Sequence, residues 1–472
     1  VAAKKSRLGE LSRDELEDIV EEMALRRPEL AALVERPRRG GRVKPGVVLA
    51  EVDGAFEGID HRSWRSSYTV ASDLSAIAES AEALLKKGDV ASAVRTLCEL
   101  SEGIRENYGT FHDEESEVAR VLDEAIEGLR KCLAMAKGAL RTAALEALVD
   151  TAIWEELSGG YGVANEVPKI ISQHATRAER AELVARVEAS VPRATSDYSR
   201  RGLGALLLGI GGEALDDERL LDLARKTGRH AELADRLLGL GRDDEAVRLL
   251  DGLVGSEAVA VANVFVRRRK RAAAEATLAR RVRALTGAGH ADRAAEPIVE
   301  WLLARALTRK DAADAAKWAV DAFRIRPSTD TWNGVRAHAD GKAAQGLLRE
   351  HARRSDYRLL VDLHVADGNV DAARAAWKKL GGARIWDGGP LATALAKKYP
   401  ADAASIWLAE VDDLVKRGNR SSYRTAGGVL RRARHVLRKA RNGPFATQLL
   451  ATAREKHRDR PAFLDELSQC LR

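Results

Sequence analysis

Five arginines, Arg420, Arg424, Arg431, Arg434 and Arg438, fall within about 40° of one line when a helix is drawn through them. They spread over about 27 Å of helix, comparable to several phosphate spacings of a nucleic acid, so such a face can recruit a polyanion by counterion release. An acidic protein surface is another occupant for it, and a solvated or internally neutralised arginine face is the plainer reading. Leu430, Ala433 and Leu437 lie on a separate flank and supply the apolar side of the same helix. Tyr423 is the one aromatic ring in the stretch, too little for a base-stacking platform, and Gly427-Gly428 weakens the helix by up to about 1 kcal/mol per glycine. A second basic run, Arg267-Arg268-Arg269-Lys270-Arg271, exceeds one helical turn, cannot form a single face, and reads as an exposed helix end or junction.

The other residues with chemical potential point away from catalysis. The acidic run Asp113 to Glu117 is able to bind a divalent cation, but it also suits the first turn of the following helix, where carboxylates meet the backbone amide dipoles. Ten histidines include no His-Glu-x-x-His pattern, and none pairs with a cysteine at metal spacing, so they read as solvated or capping residues. Gly202-Leu203-Gly204 and Gly209-Ile210-Gly211-Gly212 have no strand before them and no lysine in phosphate-loop position; they read as flexible helix termini. The sequence therefore nominates no catalytic residue, no cofactor and no metal ligand.

What must position these residues is a recurring joint. Gly88/Ala93/Leu97, Gly228/Leu233/Leu237, Gly241/Ala246/Leu250, Gly289/Ala294/Ile298 and Gly368/Ala373/Trp377 share one spacing. A glycine closes one helix in the left-handed conformation, polar residues start the next, and the residue five later nests against the first helix. Ala315, Ala319, Ala322 and Pro327 keep the spacing of the second helix of a tetratricopeptide-like repeat. The fold class expected is all-α, an irregular tetratricopeptide-like helical-repeat solenoid.

Composition agrees with a water-facing helical stack: 45% hydrophobic, 32% charged and only 4% aromatic residues over 472 positions. Charge is uneven, with 9 Lys/Arg against 18 Asp/Glu from Ser72 to Gly160 and 14 against 2 from Lys416 to Arg460. The organisation expected is an N-terminal helical arm over 1–34, bent at Pro28; a basic linker over 35–58, with a short extended segment at Val47 to Val52; an acidic helical domain over 59–158; a repeat region over 159–400 after the Gly159-Gly160 break; and a basic cap over 401–472 ending in a short tail from Pro461. Val1-Ala2-Ala3-Lys4-Lys5 leads into charged residues with no signal-peptide stretch, and no apolar run suits a bilayer. Three cysteines, Cys98, Cys132 and Cys470, give no disulfide framework, so the cytoplasm is the compartment expected.

Several motifs, taken in order, carry a family likeness. Near the N-terminus stand Leu11-Ser12-Arg13-Asp14-Glu15-Leu16, Arg27-Pro28-Glu29-Leu30, Ile59-Asp60-His61-Arg62 and His112-Asp113-Glu114-Glu115-Ser116-Glu117. Near the C-terminus stand Lys398-Tyr399-Pro400, Trp407, Gly418-Asn419-Arg420, Tyr423-Arg424, Leu430-Arg431-Arg432-Ala433-Arg434 and Glu455-Lys456-His457-Arg458. This order resembles the helical region of bacterial SWIM zinc-finger proteins. The finger itself, a Cys-x-Cys and a Cys-x-His pair, has no counterpart, so the resemblance brings no zinc ligand and no activity. The function expected is a non-catalytic scaffold or adaptor binding a protein partner, with no membrane role; the alternative is a nucleic-acid-binding accessory factor using Arg420 to Arg438.

Overall fold

The computed structural model describes residues 46–57, 65–110, 113, 116–159, 161–286, 292–382 and 388–471, with Ser12 and Ile19. The proposed arm over 1–34 otherwise lies outside the described residues. Among the described residues there are 24 α-helices and no strand, so the chain is an all-α helical-repeat protein. It divides into two compact units, Val1–Ala246 and Val247–Arg472.

Along the first unit run α1 (Val47–Phe56), α2 (Arg65–Lys86), α3 (Val90–Asn107), α4 (Glu117–Leu133), α5 (Ala139–Ser158), α6 (Val167–His174), α7 (Arg177–Ser190), α8 (Asp197–Gly211), α9 (Asp217–Lys226), α10 (His230–Gly239) and the start of α11 (Asp243–Gly252). Further along come α12 (Gly255–Arg267), α13 (Arg271–Thr286), α14 (Glu296–Arg309), α15 (Ala312–Ile325), α16 (Thr329–His338), α17 (Gly341–Arg353), α18 (Tyr357–Ala366), α19 (Val370–Lys379), α20 (Gly389–Leu395), α21 (Pro400–Lys416), α22 (Arg420–Lys439), α23 (Gly443–Lys456) and α24 (Pro461–Leu471).

Four of the five glycine joints have the expected geometry; Gly289 lies outside the described residues. Gly88, Gly228, Gly241 and Gly368 carry φ of 82°, 69°, 72° and 69°. In each, the next residue's N–H donates to a carbonyl five positions back: Asp89 to Leu84 at 3.0 Å, and Arg229 to Ala224, Arg242 to Leu237 and Asn369 to His364 at 2.9 Å. The glycine N–H closes the inner bond of this Schellman motif, which satisfies carbonyls that the helix end leaves open. Asp89 and Asn369 then accept the N–H groups of Ser92 and Ala372 and start the next helix. Ala93, Leu233, Ala246 and Ala373, five residues on, are all buried.

The same joint also recurs without glycine. Arg269, Lys310, Ser355 and Arg441 have φ of 60°, 58°, 61° and 62°. Their successors Lys270, Asp311, Asp356 and Asn442 donate to Phe265, Ala306, His351 and Leu437 in the same pattern, and Ala274, Ala315, Leu360 and Ala446 are buried five residues on. A side chain in the left-handed region costs roughly 1–2 kcal/mol, so packing on both sides holds these turns against local preference. Within α15, Ala315, Ala319 and Ala322 are all buried, as the tetratricopeptide-like spacing expects.

Three expectations need correction. The linker assigned to 35–58 contains α1, and Val47 to Val52 is helical because Val48, Val52 and Phe56, four residues apart, are buried on one face. Glu99 of α3 accepts the N–H groups of Gly46 at 3.1 Å and Val48 at 3.2 Å, capping the helix from outside. The break at 159–168 separates no domains: one buried core runs from Val48 to Leu223, and Glu155 accepts the N–H groups of Gly162 and Ala164 to tie that loop down. Likewise the cap assigned to 401–472 shares a core reaching from Leu360 to Leu467, and its tail from Pro461 is the helix α24.

The glycine-rich run 202–212 is also different from the flexible terminus expected. Gly202, Gly204 and Gly209 lie inside α8, and only Gly212, with φ of 36°, caps it. A Cβ at Gly202 would strike Glu156, one at Gly204 would strike buried Thr227, and one at Gly209 would come within 2.8 Å of Pro168. These glycines are notches through which neighbouring elements approach the α8 backbone.

Candidate binding surface

The long helix α22 starts where Asn419 accepts the N–H of Ser422 at 2.9 Å and stops at the Arg441 joint. Tyr423, Ala426, Leu430, Ala433 and Leu437 form its buried stripe. Of the adjacent glycines, Gly427 is a notch for α24, since a Cβ there would lie 2.9 Å from the Cys470 Sγ; Gly428 faces open space. Gly427 thus has a packing reason that offsets its low helix propensity, and Gly428 has none.

The five arginines on the predicted line do different things. Arg420 Nε donates to Glu466 Oε1 at 3.1 Å, and Arg424 Nε lies 3.6 Å from Glu466 Oε2. Glu466, on α24, is 3% exposed, so these two guanidiniums balance a buried carboxylate and fasten α24 to α22. Arg431 instead joins Arg432 and His435 at the mouth of a cavity of about 740 Å³. Val429 and Val436 of α22, Trp407 and Glu410 of α21, and Gly389, Pro390 and Thr393 of α20 complete its lining. Arg434 is half-buried, and Arg438 is exposed in the last turn of α22, where its charge complements the helix dipole.

Ion pairing separates the groups further. Among the described residues no carboxylate lies within ion-pair distance of Arg431, Arg432 or Arg438, whereas Arg141, Arg186, Arg309 and Arg374 pair with Glu179, Asp150, Glu275 and Asp402. Tyr423 is buried, with its ring centroid 6.1 Å from that of Phe463, so it offers no free face for stacking. The sequence by itself nominates none of Arg432, His435, Trp407, Glu410 and Glu466 as site residues. The Arg431/His435 spacing of four was readable as one helix face; the contributions of α20, α21 and α24 have no local sequence signal.

A contrast in stability checks this division. Arg420→Glu places a second carboxylate beside buried Glu466 and should destabilise the second unit by about 2 kcal/mol, reduced from a fully buried pair because Arg420 itself reaches solvent. Arg431→Glu should change stability by less than about 0.5 kcal/mol. Urea unfolding of both variants decides it, and equal losses would remove the distinction.

The remaining candidates are structural. Asp113 accepts N–H groups from Glu117 at 2.8 Å and Ala119 at 3.0 Å and the Tyr108 hydroxyl at 2.9 Å, so it caps α4; Glu114 and Glu115 lie outside the described residues. The Arg267 run forms the exposed junction between α12 and α13. His351 departs from the expectation of solvated or capping histidines: it is 6% exposed, and its Nδ1 lies 3.1 Å from Asp356 Oδ2. Among the described residues no three His, Cys, Asp or Glu side chains converge in a way that could hold a metal ion. No helix of the described residues is long and apolar enough to cross a membrane.

These features define an all-α helical-repeat protein with a basic cleft between three of its later helices. No family model matches the chain, and no curated protein matches it. A solved structure described as a "Circular tandem repeat protein with novel repeat topology and enhanced subunit contact surfaces" is similar at a TM-score of 0.23 and 15% identity, covering 89% of this chain and 96% of that one.

Proposed function

We propose that this chain is a non-catalytic helical-repeat scaffold or adaptor that binds a protein partner. The observation that carries the reading is the α20–α22 cleft, where Arg431 and Arg432 lack carboxylate partners among the described residues above a floor of Trp407, Val429 and Val436. Charged donors around an apolar floor are the composition of a recognition site, and stacked helix pairs hold such a site rigidly. The uneven charge of the sequence supports electrostatic steering of an acidic partner. A cytoplasmic setting and kinship with the helical region of SWIM zinc-finger proteins belong to the same proposal, supported by the sparse cysteines and the ordered motifs from Leu11 to Arg458.

The tagged full chain, purified gently from its native cells, should retain a stoichiometric protein at low salt and release it at high salt. The alternative, a nucleic-acid-binding accessory factor using Arg420, Arg424, Arg431, Arg434 and Arg438, predicts instead that nuclease removes whatever is retained. A clean monomer at low salt would reject both.

A further inference from the structure

We infer that the α20–α22 cleft is a docking site for a short acidic segment of a partner protein, one that carries an aliphatic anchor among its carboxylates. This rests on the adaptor reading and narrows it to one site and one ligand chemistry.

The cleft has two layers. Its floor is Trp407 and Val429, at 3% and 1% exposure, with half-buried Val436. Its mouth carries the guanidiniums of Arg431 and Arg432 and the imidazole of His435, all exposed. An aliphatic side chain entering the floor gains burial in proportion to the apolar area removed from water. Carboxylates flanking it meet two planar guanidiniums suited to bidentate contact, the strong class of hydrogen bond.

Two observations favour a peptide over a nucleic acid. The arginine line is interrupted for backbone tracking, because Arg420 and Arg424 are held on Glu466. Tyr423, the one aromatic ring on the arginine helix, is buried and packed against Phe463, so it presents no face to an unstacked base.

The test uses the full chain and a fluorescent synthetic peptide in which leucines are set among glutamates. Its controls are the same peptide with glutamine in place of glutamate, and a single-stranded oligonucleotide of equal net charge. The acidic peptide should bind with an affinity that falls with salt, and the glutamine peptide at least about tenfold more weakly. Arg431→Glu with Arg432→Glu should lower affinity by about tenfold or more. Thr393→Trp, which fills the cleft mouth without changing its charge, should lower affinity comparably.

Several outcomes overturn the site. They are equal binding of the glutamine peptide, unaltered binding by the Thr393→Trp variant, and an oligonucleotide that binds through Arg431 and Arg432 while the peptide does not. A native partner that remains bound to the Arg431→Glu/Arg432→Glu variant would sink the cleft while leaving the adaptor reading intact. A chain with no native partner would sink the adaptor reading whatever the peptide does.

Discussion

Replacing Arg269, Lys310, Ser355 and Arg441 together by glycine should stabilise the second unit by about 3 kcal/mol. Each holds a left-handed φ between 58° and 62° that closes a Schellman turn. Relief of the left-handed strain is worth roughly 1–2 kcal/mol per site, and the extra freedom glycine gives the unfolded chain removes about 0.5–1 kcal/mol of it. All four side chains are exposed, so truncating them exposes no core. The sites are separated along the chain, which favours additivity. Urea unfolding that monitors the second unit should show a higher midpoint at unchanged slope. The reciprocal change, Gly228→Ala, should destabilise the first unit by about 1 kcal/mol, since Gly228 already occupies the left-handed region. A quadruple variant no more stable than the parent would mean that these turns are not the strained equivalents of the glycine joints.

Trp332→Ala should be the most damaging single substitution considered, at about 3–5 kcal/mol. Trp332 is 1% exposed, packs with Phe323, Val335, Leu347 and Leu363, and lies 5.3 Å from the Phe323 ring centroid. Its indole N–H donates to Asp367 Oδ1 at 2.9 Å, and Arg336 Nε lies 3.3 Å from the same oxygen. Asp367 stands immediately before the Gly368 turn, so the tryptophan joins α16 to the joint between α18 and α19. Trp332→Phe keeps most of the volume but loses the donor, and should cost about 1–2 kcal/mol. Denaturant unfolding of the two variants separates the terms: equal losses would assign the effect to the hydrogen bond, and near-neutral alanine would show that the cluster collapses around the gap.

The joints illustrate how far local reading reaches. Gly88, Gly228, Gly241 and Gly368 were visible because glycine marks a left-handed turn on sight. Lys310 and Arg441 make the same turn invisibly, since nothing in a lysine or arginine marks a left-handed φ that packing imposes. Gly202 and Gly204 differ in the other direction: glycine in a sequence signals chain freedom, whereas here it creates room for Glu156 and Thr227 against α8. At the cleft, helical spacing groups exposed Arg431 with Arg420, whose charge is taken up by Glu466 from α24.

The sequence by itself determined the all-α class, the recurrent joint, the buried positions that follow it and the basic character of α22. These depend on periodicity and backbone preference, which act over a few residues. Tertiary structure alone decided which arginines are bound internally, which face a cleft and what forms its floor. Those outcomes depend on residues brought together from separate helices, such as Glu466 with Arg420 or Trp407 with Arg431, and chain spacing carries no signal for contacts made only by packing.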